Sequence, residues 1–129
     1  MTLTDRYRRP ADLPSRIPVF PLRGAILLPR ATLPLNIFEP RYLAMIDDAL
    51  RDGHRLIGMI QPDVAHSPRD SDKPSLFRVG CVGRITQLAE SGDGRYILEL
   101  TGVARFKVVE ELTVQTPYRQ CKVDFFSFI

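Results

Sequence analysis

Apolar and polar positions alternate over short distances along most of the chain, and only one stretch repeats at helical spacing. Residues 1–16 are polar and interrupted by Pro10 and Pro14, which predicts a flexible lead-in. The pattern changes at Ile17-Pro-Val-Phe-Pro-Leu22. Two prolines inside that apolar run exclude a helix and a central strand, and fit an edge strand or the first residues of a strand. Ala25-Ile-Leu-Leu28 and Ala31–Phe38 are short, apolar and punctuated by Pro29 and Pro34. They predict further strands joined by proline-stiffened corners.

The helical stretch follows. Tyr42, Met45, Ile46 and Ala49, with Leu43 and Leu50 alongside, form a wide apolar stripe, while Arg41, Ala44, Asp47, Asp48 and Arg51 lie mostly opposite. Pro40 suits the first helical turn, where a missing N–H costs nothing. Gly53 suits the left-handed C-terminal cap. The spacing predicts a helix over residues 40–52, with an Asp47–Arg51 pair worth about 0.2–0.5 kcal/mol.

Arg55-Leu-Ile-Gly-Met-Ile60 is an unbroken apolar strand, expected to be covered on both faces. Residues 61–75 show no periodicity and predict a long exposed loop. A meander comes next: Arg78–Ile85 leads into Thr86–Glu90, Ser91-Gly-Asp-Gly94 is a hairpin turn, and Tyr96–Leu100 returns. Gly102 should break or bulge that strand before Arg105–Val109, and Gly80 and Gly83 suggest further bends of a curling sheet. The last strand is Tyr118–Phe125, with Cys121, Val123 and Phe125 on one face. Several short strands with one early helix give a mainly β fold, a small barrel plugged or capped by that helix. The apolar ending Phe125–Ile129 either completes a strand or packs under chain that follows.

Length and charge narrow the classes. A chain of 129 residues is one domain's worth of core. No apolar run is long enough to span a bilayer as a helix, and the N-terminus lacks the apolar core of a secretory signal. The expected location is the cytoplasm. Cys81 and Cys121 sit in apolar strands and are expected buried, reduced and inert. A bridge between them requires neighbouring strands. The net charge is +3, yet Arg6, Arg8, Arg9 and Arg16 crowd into the lead-in against Asp5 and Asp12. The rest of the chain is close to neutral, which argues against nucleic-acid binding by the folded part.

Catalytic and cofactor motifs are missing. There is no phosphate-cradling glycine loop and no G-x-S-x-G elbow, and no cofactor or metal is implied. His54 follows the helix cap, where a surface role suffices. His66 lies near Asp63, Asp70 and Asp72, but without the spacing that a metal site fixes. Glu39 precedes the helix and can meet its free N–H groups; Arg41 can bind a carboxylate or pair with a neighbouring acid. Phe38 and Tyr42 read first as core residues.

Two blocks carry a family resemblance: Ile17-Pro-Val-Phe-Pro-Leu-Arg-Gly-Ala-Ile-Leu-Leu-Pro29 and Leu33-Pro-Leu-Asn-Ile-Phe-Glu-Pro-Arg-Tyr42. With Val79-Gly-Cys-Val-Gly-Arg-Ile85 and Gly102-Val-Ala-Arg-Phe-Lys107, they resemble in order the amino-terminal, substrate-binding domain of the Lon proteases. The resemblance implies a PUA-like pseudo-β-barrel with the helix packed against it, formed by residues 17–129. It also implies a non-enzymatic recognition role toward unfolded or exposed polypeptide, since neither the ATPase nor the Ser–Lys peptidase part is present. Arg23, Arg30, Phe38, Glu39 and Arg41 are the candidate partner-binding residues. RNA binding, known for other PUA-like folds, is the alternative. Stand-alone bacterial relatives carry a helical part after the barrel, so the chain is expected to be truncated.

Overall fold

The computed structural model describes residues 13–67 and 73–125. In chain order the elements are β1 (Arg16–Pro21), β2 (Thr32–Ile37), α1 (Pro40–Asp52), β3 (Leu56–Ile60), β4 (Pro62–Asp63), β5 (Ser75–Leu76), β6 (Val79–Glu90), β7 (Tyr96–Glu111) and β8 (Arg119–Asp124). The main sheet runs β2-β7-β6-β3-β1-β8, and β7 also pairs with β8. That second pairing closes β7, β6, β3, β1 and β8 into a ring, with β2 added outside it along the first half of β7. β1 and β3 are parallel, and every other pairing is antiparallel.

Two apolar layers follow from this closure. Inside the ring lie Ile17, Val19, Leu56, Ile60, Val82, Ala104, Phe106, Val108, Cys121, Val123 and Phe125. Phe106 is completely buried at its centre. Its ring needs Gly80, where a Cβ would sit 2.6 Å from Phe106 Cζ and 2.4 Å from the Met59 carbonyl oxygen. Outside the ring, Tyr42, Met45, Ile46 and Ala49 of α1 pack on Leu35, Ile37, Ile57, Met59, Ile85, Leu98 and Leu100. β3 serves both layers with alternate residues, so all five are buried, as its unbroken apolar run predicts.

β7 serves both layers differently. Val82 pairs with Ala104 but Gly83 pairs with Gly102, so Val103 is an extra, bulged residue. Before the bulge Leu98 and Leu100 face the helix; after it Ala104, Phe106 and Val108 face the ring interior. The bulge expected at Gly102 thus falls one residue on, and the strand continues through it.

The helix spans the predicted residues, with Pro40 in its first turn and Gly53 capping it at φ 84°. Its surface pairs differ from expectation. Arg51 bonds Asp48 at 2.9 Å, three residues back, because Asp47 is taken by the Tyr96 hydroxyl at 2.6 Å. Glu39 makes no capping bond to the helix and pairs instead with Arg41.

Three further expectations change. β1 is no edge strand: β8 covers residues 16–19 and β3 covers 19–21. Pro18 is accommodated because pairing to β3 starts only at Val19. Ala25–Leu28 is a loop, not a strand. Leu27 is buried there, and the Leu28 carbonyl presses on Gly102, where a Cβ would lie 2.1 Å from its oxygen. The stretch 61–75 contains the small β4–β5 hairpin and a 3-10 turn at Val64–His66. Asp70 and Asp72 lie outside the described residues, as do residues 1–12 of the expected lead-in and the ending 126–129. Leu13 is already buried, and the Ser15 carbonyl accepts the Val123 N–H at 2.8 Å. Cys81 and Cys121 are free, buried, and on strands that are not neighbours.

Candidate functional site

Among the described residues β2 pairs with β7 alone, so its other side is open. Its polarity can be worked out from one bond. The Gly102 N–H donates to the Ala31 carbonyl at 2.8 Å, and the register pairs Thr32 with Thr101 and Pro34 with Glu99. By the alternation of an antiparallel ladder, Leu33, Leu35 and Ile37 bond to β7, while Thr32, Pro34 and Asn36 turn their backbone groups outward. Pro34, which has no N–H, therefore costs the ladder nothing.

Beside that open edge runs a groove of about 360 Å³. One wall is Pro34–Phe38, and the other is Phe20, Pro21 and Leu22 at the end of β1. Glu39, Arg41 and Tyr42 close it at the start of α1. The floor is firm: the Phe20 and Tyr42 rings lie 4.2 Å apart between centroids. Phe38 at the rim is the opposite case, 62% exposed, with the Arg95 guanidinium 5.8 Å from its centroid. The reading of Phe38 as a core residue is thereby corrected. It follows β2 on the outward parity, so it is turned from the helix-side layer.

Of the five candidate binding residues, Phe38, Glu39 and Arg41 come together at the groove, and Arg23 and Arg30 do not line it. The latter two are exposed on the connection between β1 and β2. Arg30 adopts a left-handed φ of 69° so that its N–H can reach the Gly102 carbonyl at 2.8 Å. Arg41 bonds the Glu39 carboxylate at 3.0 Å and lies 4.7 Å over the Tyr42 ring. Burial raises the Tyr42 hydroxyl above its ordinary range, opposed by the charges of Arg41 and Arg119.

Beyond Arg41 a second cleft opens, lined by Lys73, Glu111, Thr113, Val114, Thr116, Pro117, Tyr118 and Arg119. Arg119 grips both oxygens of Glu111 at 2.6 and 2.8 Å, and Lys73 lies 3.0 Å from the same carboxylate. Hydrogen bonding from Arg119 holds Glu111 below the usual carboxylate range. Sequence reading missed this cleft, because its residues come from three distant segments without shared periodicity.

The remaining reactive groups have local explanations. The His66 ring pairs with Asp63 at 2.9 Å within its own turn, and no group of metal-ligating side chains occurs among the described residues. His54 is exposed beyond the helix cap, its backbone N–H bonded to Asp52. Burial pushes the Cys81 thiol up to about 12 and the Cys121 thiol up to about 11, so neither is a ready nucleophile.

Comparison with known proteins decides the family. The profile of the ATP-dependent protease La (LON) substrate-binding domain matches residues 16–127. The chain belongs to the Lon substrate-binding domain family. It is 36% identical over 113 residues to Lon protease 2 of Myxococcus xanthus and 34% identical over 113 residues to the Lon protease of Anaeromyxobacter dehalogenans. Each alignment covers 88% of this chain but 13% of the relative, so the chain spans about an eighth of those proteins. Among solved structures it resembles a Lon N-terminal domain protein from Xanthomonas campestris, with a TM-score of 0.66 and 30% identity. That match covers 85% of this chain and 59% of the other. The N-terminal domain of a Mycobacterium avium complex Lon protease shares the fold at a TM-score of 0.62 and 18% identity. The Lon-type mainly β fold expected from the sequence blocks is therefore the one observed, with its helix packed on the sheet. No helix among the described residues is long and apolar enough to cross a membrane.

Proposed function

We propose that this Lon-type domain is a non-enzymatic recognition module that holds an extended, apolar stretch of polypeptide. The observation that carries this reading is the apolar groove alongside the open edge of β2. An extended chain laid there can bond to the outward backbone groups of Thr32, Pro34 and Asn36 while its side chains enter the groove. Phe38 supplies an exposed aromatic surface at the rim, and Glu39 and Arg41 supply polar contacts that fix orientation. Substrate binding is the role named for the family, and an unfolded client offers the extended backbone that this edge accepts. Two buried free thiols suit a reducing compartment, and we place the protein in the cytoplasm.

RNA is the less favoured partner. Arg16, Arg41, Arg51, Arg95 and Arg119 are each engaged by a Gln, Asp or Glu of the domain. The test is fluorescence anisotropy with labelled, permanently unfolded casein and with single-stranded RNA. Saturable casein binding that weakens at least about tenfold in Phe38→Asp, with an unchanged melting temperature, is expected. Tighter RNA binding, or casein binding indifferent to Phe38, would count against this reading.

A further inference from the structure

A separate apolar depression, of about 170 Å³, lies where β3 ends and β6 begins, and it shares no lining residue with the groove beside β2. Its floor is Met59 and Cys81, both buried in the layer outside the ring. Its rim carries Ile26, Leu28 and Val79, which are 71%, 49% and 47% exposed. Single apolar side chains in water are ordinary, but three around one hollow mark a contact surface.

The loop that presents Ile26 and Leu28 is fixed on both sides of them. The Gln61 side chain accepts the Gly24 N–H at 3.0 Å and donates to the Ala25 carbonyl at 2.6 Å. Leu27 is buried between the two exposed residues, and the Arg30 N–H bonds the Gly102 carbonyl at 2.8 Å. Ile26 and Leu28 are thus held in solvent by the fold.

Three observations define the occupant. The sheet around the depression offers no free row of backbone groups: β6 pairs with β3 through Cys81 and with β7 through Val79 and Cys81, and the Phe77 N–H bonds the Gln61 carbonyl. An occupant cannot add a strand there, so it must satisfy its own backbone, as a helix does. The volume suits one large apolar side chain, since a cavity of about 150 Å³ takes a benzene ring. Arg105 is the one charged side chain lining the hollow among the described residues, and no carboxylate lines it. A second copy docked about a two-fold axis would bring a second Arg105 to the same contact, like charge against like.

We propose that this depression docks an amphipathic helix of a protein partner, with one large apolar side chain seated on Met59 and Cys81. Apolar neighbours a turn away on that helix lie against Ile26, Leu28 and Val79, and a Glu or Asp of its flank lies against Arg105. The carboxylate gains charge-assisted hydrogen bonds from the guanidinium. A basic flank meets like charge and is rejected. The domain then has two surfaces for two chain conformations, the β2 edge for an extended chain and this hollow for a folded helix.

The test uses the whole 129-residue chain and labelled amphipathic helical peptides with one Leu stripe, flanked by Glu, Gln or Lys. At low salt the Glu helix should bind about three- to tenfold more tightly than the Gln helix, and the Lys helix most weakly. Ile26→Asp should weaken the Glu helix at least about tenfold without moving the melting temperature, because Ile26 stands in solvent. Arg105→Gln should bring the Glu-to-Gln ratio to about one. A central Pro in the Glu peptide, which breaks the helix, should abolish binding. No saturable binding of any helix, equal affinity for Glu and Gln helices, or undiminished binding of the Pro peptide would overturn the proposal. So would helix binding that responds to Phe38→Asp and not to Ile26→Asp, which would move the helix to the groove. Loss of unfolded-casein binding in Ile26→Asp would make the hollow part of extended-chain recognition and overturn it as well. Self-association in sedimentation, or binding to phosphatidylserine vesicles, that Ile26→Asp abolishes would give the surface to a second copy or to a lipid surface instead.

Discussion

The Tyr118 hydroxyl donates to Asp48 Oδ2 at 2.6 Å, joining residues 70 positions apart. Tyr96 makes the matching bond to Asp47 at 2.6 Å. Adjacent acids of α1 are thus tied to two separate points of the sheet, one at the start of β7 and one on the approach to β8. The helix is held against rotation as well as by its apolar stripe, and this keeps Tyr42 and Arg41 in place at the groove.

The two ties should differ in strength. Tyr118 is buried, whereas the Tyr96–Asp47 bond is exposed. Tyr118→Phe is expected to cost about 1–2 kcal/mol in urea unfolding, and Tyr96→Phe less than about 1 kcal/mol. Equal losses would show that burial of the bond is unimportant.

Alkaline pH should unfold the domain earlier than its fold class requires. Burial raises Cys81 to about 12 and Cys121 to about 11, and raises Tyr118 further still, with help from the Asp48 bond. Raised pKa values mean that the native state holds protons that the unfolded chain releases. The stability this contributes is complete below the unfolded thiol value of about 9 and is lost as pH rises through the native values. The urea midpoint should therefore be flat from neutral pH to about 8.5 and fall steadily above it. Tyr118→Phe should flatten the upper part of that fall. The thiols should resist Ellman's reagent at neutral pH until urea is added.

Glycine replacements should separate tight from open positions. Gly80→Ala and Gly102→Ala each drive a Cβ to within 2.4 Å or less of a backbone oxygen. A loss of about 1–3 kcal/mol or more is expected for each. Gly92→Ala meets no atom within 4 Å. It should stay within about 0.5 kcal/mol of the parent. Comparable melting temperatures for all three would contradict the packing described.

The two layers should fail differently from the rim. Phe106→Ala empties the centre of the ring, at an expected cost of about 3–5 kcal/mol. Phe38→Ala should leave thermal stability nearly unchanged while weakening polypeptide binding, since Phe38 stands largely in solvent.

Much of this was legible locally. Helix 40–52 was readable to the residue because its stripe, its opening proline and its closing glycine agree. Prolines misled in β1: Pro18 marked not an edge but the place where one neighbour has yet to begin pairing. Ala25–Leu28 looked like a strand because it is a short apolar run closed by Pro29. Its loop shape comes from contact with Gly83 and Gly102, far away in sequence. Phe38, Glu39 and Arg41 could be nominated together because they are adjacent. Lys73, Glu111 and Arg119 could not, because closure of β7 onto β8 brings Arg119 to Glu111, and the segment before β5 brings Lys73 to the same carboxylate.

The bulge at Val103 has a consequence for how the chain can be divided. A single strand supplies the walls of both apolar layers, before and after that residue. Neither layer can then be cut free as a fragment that folds alone, and two halves severed near Val103 would have to fold together or not at all. A severed chain should keep its shape only when the break falls in the turn at 91–94, where β6 and β7 stay whole and side by side.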